Sequence, residues 1–257
     1  MGTGNGKRVV VTGGSGGAGL FIIPSASSPA PPQSPSTCSP RPLRGRELLA
    51  HGYTVINADR EQQPRPGAKF VRCDSTNLDE VVSVTAGAHA IVHMAAIASP
   101  GGVPDQEVWR VNMTGAWNVL EAAEIHGVKK VVMASSVNAL GADWGDKTTP
   151  EYFPIDEKHP TRSQDVYSVS KVTTAAACWR LSSPGRPHTD RAYPLQHLGE
   201  ELAESFARRR SVQIASLRFH WLMRPEDAEN AYQSYLADDG SRVEGAAKGF
   251  WSVQACA

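Results

Sequence analysis

The sequence predicts an α/β fold, a doubly wound parallel sheet with helices on both faces. Six short apolar runs each end at polar residues, as buried parallel strands do. Amphipathic helical stretches lie between some of these runs, and a glycine-rich turn follows the first one. Right-handed crossovers in such a sheet place ligand sites at the carboxyl ends of the strands.

The predicted elements follow one another along most of the chain. Strands are expected at 7–12, 53–59, 68–74, 88–95, 128–135 and 211–219. Helices are expected at 77–86, 106–126 and 198–208, and Gly127 ends the second of them. In that second helix, apolar residues recur near one face: Val108, Val111, Trp117, Leu120 and Ala123.

Two segments break this alternation. Residues 20–45 carry seven prolines and six serines where the first crossover helix is expected. Since proline lacks the amide donor that a helix interior needs, these residues are not expected to form that helix. Residues 172–197 begin directly after Lys171 and include Pro184, Pro187 and Pro194. We therefore expect the helix that carries Lys171 to be interrupted at Val172.

Charge and composition exclude several classes of function. Lys plus Arg equals Asp plus Glu at 26 each, so no overall field favours nucleic acid or an anionic membrane. No apolar run reaches the roughly 18 residues of a membrane helix, and we expect a cytoplasmic protein. Four cysteines without regular spacing indicate neither a disulfide framework nor a metal site. A neutral enzyme or small-ligand binder fits these properties best.

The glycine-rich turn has the spacing of a phosphate-binding turn. Residues 12–19 read TGGSGGAG, with Gly13, Gly16 and Gly19 three residues apart, and a flexible glycine loop is the alternative. Asp59 ends the second strand, where an acid accepts hydrogen bonds from ribose hydroxyls and repels a 2′-phosphate. The pattern favours NAD over NADP, and the neighbouring Arg60 weakens that preference. An ordinary polar strand exit is the alternative for Asp59.

Residues 167–171, YSVSK, bring acid–base chemistry to the same sheet edge. Tyr167 and Lys171 are four apart and share one face of a helix. An ammonium beside a phenol favours the phenolate and lowers its pKa, so that Tyr167 can take a proton from a substrate hydroxyl as hydride leaves the carbon. Ser135 and Ser136 end the fifth strand, where one could hold the substrate oxygen and one could simply cap a turn.

Three other polar residues have two interpretations each. Asp74, at the end of the third strand, could approach an adenine or form a turn. Asn112 lies in the middle of a helix, where it either supports the site or faces solvent. His93 is interpreted as a buried strand histidine rather than a ligand.

In this order the residues resemble the NAD-dependent epimerase/dehydratase family of the extended short-chain dehydrogenase/reductase superfamily, which includes the sugar-nucleotide epimerases. The similarity runs through TGGSGGAG, HMAAIASP at 93–100, GVKKVVMASS at 127–136 and YSVSK, and residues 156–171 also resemble uronate dehydrogenase-like members. The resemblance implies catalytic roles for Ser136, Tyr167 and Lys171. It implies cofactor contacts at Gly13, Gly16, Gly19, Asp59, Arg60, Asp74, Ala95, Ala96, Ile97, Asn112, Tyr167 and Lys171.

The resemblance also implies a domain organisation and a function. Residues 1–219 would form a Rossmann-type NAD-binding domain, interrupted by intron-like, coil-like segments at 20–45 and 172–197. Residues 220–257 would be the remnant of a largely missing C-terminal substrate lobe. The implied activity is NAD-dependent oxidation or epimerisation at a secondary hydroxyl of a sugar or nucleotide sugar. A homodimer is the candidate assembly, and the alternative function is a catalytically inactive NAD-binding or interaction protein.

Overall fold

The computed structural model describes residues 6–21, 47–63, 65–98, 101–141, 151–156, 159–179 and 212–219. The predicted helix at 198–208 and the predicted lobe remnant at 220–257 lie outside these residues, as does most of the proline-rich segment. Within the described ranges, no helix has both the length and the apolar character needed to cross a membrane.

The six predicted strands all form, each ending within two residues of its predicted bounds. They are β1 (Arg8–Thr12), β2 (Thr54–Asp59), β3 (Ala68–Arg72), β4 (Ala90–His93), β5 (Lys130–Ser136) and β6 (Gln213–Phe219). They make one parallel sheet in the order β3-β2-β1-β4-β5-β6. The predicted Rossmann-type fold is confirmed, and the strand order reverses between β1 and β4, where such sheets bind ligands.

Four helices cover the sheet in the described part of the chain. They are α1 (Glu47–Ala50), α2 (Leu78–Thr85), α3 (Asp105–Ile125) and α4 (Val166–Trp179), with short 3-10 turns at Ala18–Phe21 and Val137–Leu140. Helix α2 begins where the Asn77 side chain accepts hydrogen bonds from the backbone N–H groups of Asp79 and Glu80, at 3.1 and 3.4 Å. This N-cap satisfies amides that the first helical turn leaves without a partner.

The buried face of helix α3 is the predicted one, except at one residue. Val108, Val111, Leu120 and Ala123 are buried, whereas Trp117 is 38% exposed. At about 100° per residue, position 117 lies about 180° around the helix from position 108, so Trp117 faces away from the sheet. Its assignment to the buried face was wrong.

Helix α4 continues past the position at which the sequence predicts an interruption. It runs to Trp179, two turns beyond Lys171, and Val172 is 8% exposed. The expected break at Val172 was wrong because residues 172–179, VTTAAACW, contain neither proline nor glycine and include three consecutive alanines. Lys171 therefore lies inside a continuous helix rather than at its end.

Buried side chains fill both faces of the sheet. On one face, Val10, Ile91 and Met133 pack with Val119 of α3 and Val81 of α2. On the other face the core consists of alternate strand residues, among them Val9, Val11, Val55, Val92 and Met94. Coverage on both faces is what a parallel sheet requires, and it leaves the ends of the strands as the place for a site.

His93 forms a buried polar pair at the carboxyl end of the two central strands. Its Nδ1 lies 2.7 Å from the Thr12 hydroxyl across the β1–β4 pairing, and His93 is 5% exposed. Burial, together with the charge of Lys171, lowers the pKa of His93 from 6.5 to about 3. The imidazole is therefore neutral at physiological pH, which agrees with the interpretation as a buried strand histidine.

This lowered pKa makes folding stability depend on pH. The unfolded chain protonates His93 near pH 6.5 and the folded chain does not, so the free energy of unfolding decreases as the pH falls from about 6.5 toward 3. Replacing His93 with Asn removes the titrating group and keeps a polar partner for Thr12. Between pH 6.5 and 5.5, we expect the wild type to lose roughly 1 kcal/mol more than His93→Asn. Urea unfolding at both pH values measures this difference, and parallel curves for the two proteins would contradict it.

Candidate active site

The glycine-rich turn that follows β1 has a conformation that a side chain at residue 13 or 19 would prevent. Gly13 has φ +72°, and a Cβ there would lie 2.4 Å from the backbone nitrogen of Ala95. Its N–H donates to the Ala58 carbonyl at 2.9 Å, and the Gly16 N–H donates to the Gly13 carbonyl at 3.1 Å. A Cβ on Gly19 would lie 2.3 Å from the Gly14 carbonyl oxygen. The turn is therefore a tight, hydrogen-bonded structure rather than a flexible loop.

Side chains from β2 hold this turn. Asp59 Oδ2 accepts a hydrogen bond from the Ser15 N–H at 2.9 Å, and Asn57 Nδ2 donates to the Ser15 hydroxyl at 3.1 Å. Asn57 is fully buried and Asp59 is half-buried at the end of the strand. Asp59 thus has a structural partner in the turn as well as a position at the sheet edge.

A cleft of about 330 Å³ opens above the carboxyl ends of the central strands. It contains eight of the twelve residues predicted to contact a cofactor: Gly13, Gly16, Asp59, Arg60, Asp74, Ala95, Ala96 and Ile97. Gly17 also lines it, and a Cβ there would meet nothing within 4 Å, so this wall is open backbone. Gly19, Asn112, Tyr167 and Lys171 are not among its lining residues.

Asp74 both lines the cleft and closes a turn. Its Oδ1 accepts hydrogen bonds from the Thr76 N–H at 2.9 Å and the Thr76 hydroxyl at 2.8 Å. Burial raises the pKa of Asp74, but the Thr76 hydrogen bonds and the charges of Arg60 and Arg110 outweigh it and leave that pKa below its ordinary value. The carboxylate is therefore ionised at neutral pH.

Asn112 links the cleft to helix α4. Its Oδ1 accepts from the Ile97 N–H at 2.8 Å, while its Nδ2 lies 3.2 Å from the Ile97 carbonyl and 3.0 Å from the Ser170 hydroxyl. Asn112 is 5% exposed, so the solvent-facing alternative is excluded. It positions the β4 exit against α4 rather than lining the cleft.

The three predicted catalytic residues come together where β5 meets α4. The Tyr167 and Ser136 side chains are hydrogen-bonded, and Lys171 Nζ lies 5.5 Å from the centre of the Tyr167 ring. Lys171 Nζ also donates to the Ala134 carbonyl at 3.0 Å. All three residues are buried. Ser136 Oγ accepts from the Asn138 N–H at 3.1 Å, so it also caps the following 3-10 turn.

Burial governs the electrostatics of this group. It lowers the pKa of Lys171 from 10.5 to about 8. It also raises the pKa of Tyr167; the hydrogen bond with Ser136 offsets part of this increase, and Asp165 adds to it. The predicted decrease in the pKa of Tyr167 was therefore wrong. Desolvation of the phenolate is the largest effect in this buried site.

Sequence reasoning missed Arg65, which lies in the connection between β2 and β3. Arg65 is 9% exposed, and its Nε donates to the Gly14 carbonyl at 2.9 Å. The only sequence signal is topological. A residue that follows the end of β2 lies at the same sheet edge as the turn that follows β1.

Comparisons with known proteins find similar sequences among epimerases and dehydrogenases. The chain is 28% identical over 167 residues to a UDP-glucose 4-epimerase from Corynebacterium glutamicum, covering 60% of this chain and 48% of that protein. It is 24% identical over 226 residues to an L-arabinose 1-dehydrogenase (NAD(P)(+)) from Haloferax volcanii, covering 86% of this chain and 69% of that protein. The chain spans about half the length of the first of these curated relatives.

Solved structures show the same fold. The UDP-glucose 4-epimerase of Thermus thermophilus, in complex with NAD, superposes with a TM-score of 0.54 at 23% identity, covering 82% of this chain and 54% of that one. The model of the NAD dependent epimerase/dehydratase family matches residues 45–186. That stretch is more than half of the chain and contains Ser136, Tyr167 and Lys171, while the glycine turn precedes it. The chain belongs to the NAD dependent epimerase/dehydratase family.

Proposed function

We propose that this chain binds NAD in the cleft and oxidises or epimerises a secondary hydroxyl of a sugar or nucleotide sugar. The observation that carries the proposal is the hydrogen-bonded pair of Ser136 and Tyr167, with Lys171 over the Tyr167 ring, at the same sheet edge as the glycine-lined cleft. Family membership supports it, as does the chemistry named for the epimerase and dehydrogenase relatives.

The residues of the cleft fit a dinucleotide. The absence of side chains at Gly13, Gly16 and Gly17 lets a diphosphate approach the main chain closely, and the Asp59 carboxylate can accept bonds from ribose hydroxyls. When bound there, NAD would supply the hydride acceptor. Asp59 disfavours a 2′-phosphate, whereas the neighbouring Arg60 attracts it, so NAD is the expected cofactor and NADP the weaker one.

The three buried residues have distinct roles in the proposed reaction. Ser136 and Tyr167 hold the substrate oxygen between two hydroxyl groups, and Tyr167 takes the hydroxyl proton as the carbon is oxidised. In an epimerase, Tyr167 would return the proton after the substrate has turned its other face. Lys171 places positive charge beside the phenol, and it keeps that charge below about pH 8. Burial raises the pKa of Tyr167, and in the proposed reaction a neighbouring positive charge favours the phenolate.

Glycine substitutions test NAD binding. Gly13→Ala places a Cβ against the Ala95 backbone, whereas Gly127→Ala has a comparable φ of +64° but meets nothing within 4 Å. We expect Gly13→Ala to weaken NAD binding roughly 10- to 100-fold, the equivalent of about 1–3 kcal/mol of overpacking strain. Gly127→Ala should bind NAD like the wild type. Calorimetry with NAD measures both affinities, and normal binding by Gly13→Ala would count against this cleft as the cofactor site.

Removing the Tyr167 hydroxyl separates catalysis from binding. We expect Tyr167→Phe to bind NAD like the wild type and to lose roughly 100- to 10,000-fold in turnover, the usual contribution of a positioned acid–base group. Tyr53→Phe, at the opposite edge of the sheet, is the matched control. The assays are interconversion of UDP-glucose and UDP-galactose, and NADH formation with L-arabinose and other free sugars.

The same assays decide the alternative function. A wild-type chain that binds NAD, converts none of these sugars and behaves like its Tyr167→Phe variant would be an NAD-binding protein without turnover. The raised pKa of Tyr167 is the observation that favours this alternative.

A further inference from the structure

Arg65 makes an unusual set of contacts for a residue outside the proposed chemistry. Its Nε donates to the Gly14 carbonyl at 2.9 Å, and its Nη2 donates to the Ser15 carbonyl at 2.7 Å and lies 3.4 Å from the Gly16 carbonyl. One guanidinium thus contacts three consecutive carbonyls of the glycine turn. Only arginine has the fixed, planar arrangement of donors that such a bridge needs.

Ser15, in the middle of the turn, has hydrogen-bond partners for its N–H, its carbonyl and its hydroxyl. The Ser15 N–H donates to Asp59, the Ser15 carbonyl accepts from Arg65, and the Ser15 hydroxyl accepts from Asn57 and, at 3.4 Å, from the Gln63 N–H. All four groups belong to β2 or to the connection that follows it. The turn itself leads, in the described residues, into a 3-10 turn of four residues. Its conformation therefore depends on the neighbouring strand.

This arrangement directs the polar groups of the turn. In a trans peptide the C=O and the next N–H point in opposite directions. Carbonyls of Gly14, Ser15 and Gly16 that face Arg65 therefore turn the following amides away from it, and the last of these belongs to Gly17, which lines the cleft. The guanidinium also places a positive charge directly behind the wall. Burial lowers the pKa of Arg65 and the charge of Asp59 raises it, but the group stays cationic at any physiological pH.

We propose that Arg65 is a positioning residue for the diphosphate site: it presets the glycine turn and supplies positive potential behind it. This inference rests on the proposed function, because the ligand is the diphosphate of NAD. It assigns to a loop arginine the two tasks that a helix N-terminus usually performs at such a turn.

The first test separates the diphosphate from the adenosine part of the ligand. The variants are Arg65→Met and Arg65→Lys, and the control is Arg8→Met, which removes another arginine-to-carbonyl bond, 2.9 Å to Ala86, at the opposite sheet edge. We expect Arg65→Met to weaken NAD and ADP-ribose binding roughly 10-fold or more, the worth of a charged hydrogen bond. Adenosine binding, measured by ligand-observed NMR, should not change. Arg65→Lys should recover little, since one ammonium cannot bridge three carbonyls, and Arg8→Met should bind like the wild type.

Two results would overturn the proposal. Unchanged affinity for NAD in Arg65→Met would show that the turn does not need the guanidinium. An equal loss of affinity for adenosine would show a general structural role instead of a role at the diphosphate.

A second measurement needs no ligand. Amide hydrogen exchange of residues 13–17 in the ligand-free proteins should be faster in Arg65→Met than in the wild type and in Arg8→Met. If the wild type binds no NAD, the proposed function fails while this exchange experiment still decides whether Arg65 orders the turn. Unchanged exchange in Arg65→Met would refute the inference whether or not NAD binds.

Discussion

The close approach of two strand exits shapes everything at the carboxyl edge of this sheet. The backbone leaving β1 at Gly13 and the backbone leaving β4 at Ala95 are nearer than a Cβ on residue 13 would permit. Hydrogen bonds from the Gly13 N–H to Ala58 and from the Met94 N–H to Thr12, both 2.9 Å, tie the exits of β2, β1 and β4 together. The cleft lies above this junction, so its wall is backbone, and the acidic end of β2 lies next to it.

A second set of polar contacts connects the cleft to the catalytic helix. Asn112 bonds both polar backbone atoms of Ile97 and reaches Ser170, whose hydroxyl donates to the Tyr167 carbonyl at 2.7 Å. Tyr167 in turn bonds Ser136 at the end of β5. The β4 exit, α3, α4 and β5 therefore form one supported unit, and buried networks of this kind hold functional groups in fixed relative positions. The proposed catalytic residues and the proposed cofactor cleft share that support.

Sequence pattern predicts the parts of this structure that repeat. The strands and helices α2 and α3 follow from apolar periodicity. Among the cleft residues, Gly13, Gly16, Asp59 and Asp74 follow from the rule that parallel strands carry sites at their carboxyl ends, whereas Ala95, Ala96 and Ile97 were expected only from the family resemblance. The position of Trp117 and the continuation of α4 each have a local signal, the helical angle for Trp117 and an alanine run for α4. The contacts of Arg65 and the raised pKa of Tyr167 have no local signal in the sequence. Both depend on burial by chain segments far away in sequence, which a local pattern does not record.

The placement of β1 at the centre of the sheet affects how the chain assembles during synthesis. Strand β1 is translated well before the two strands that flank it. Arg8 pairs with Thr54 of β2, and Thr12 pairs with His93 of β4. Pairings between such distant residues form slowly because a long loop must close before any contact compensates for it. The glycine turn therefore lacks its contact with the backbone at Ala95 until β4 has been synthesised. Until then the apolar β1 has two unpaired edges, and unpaired apolar strands of this kind favour aggregation.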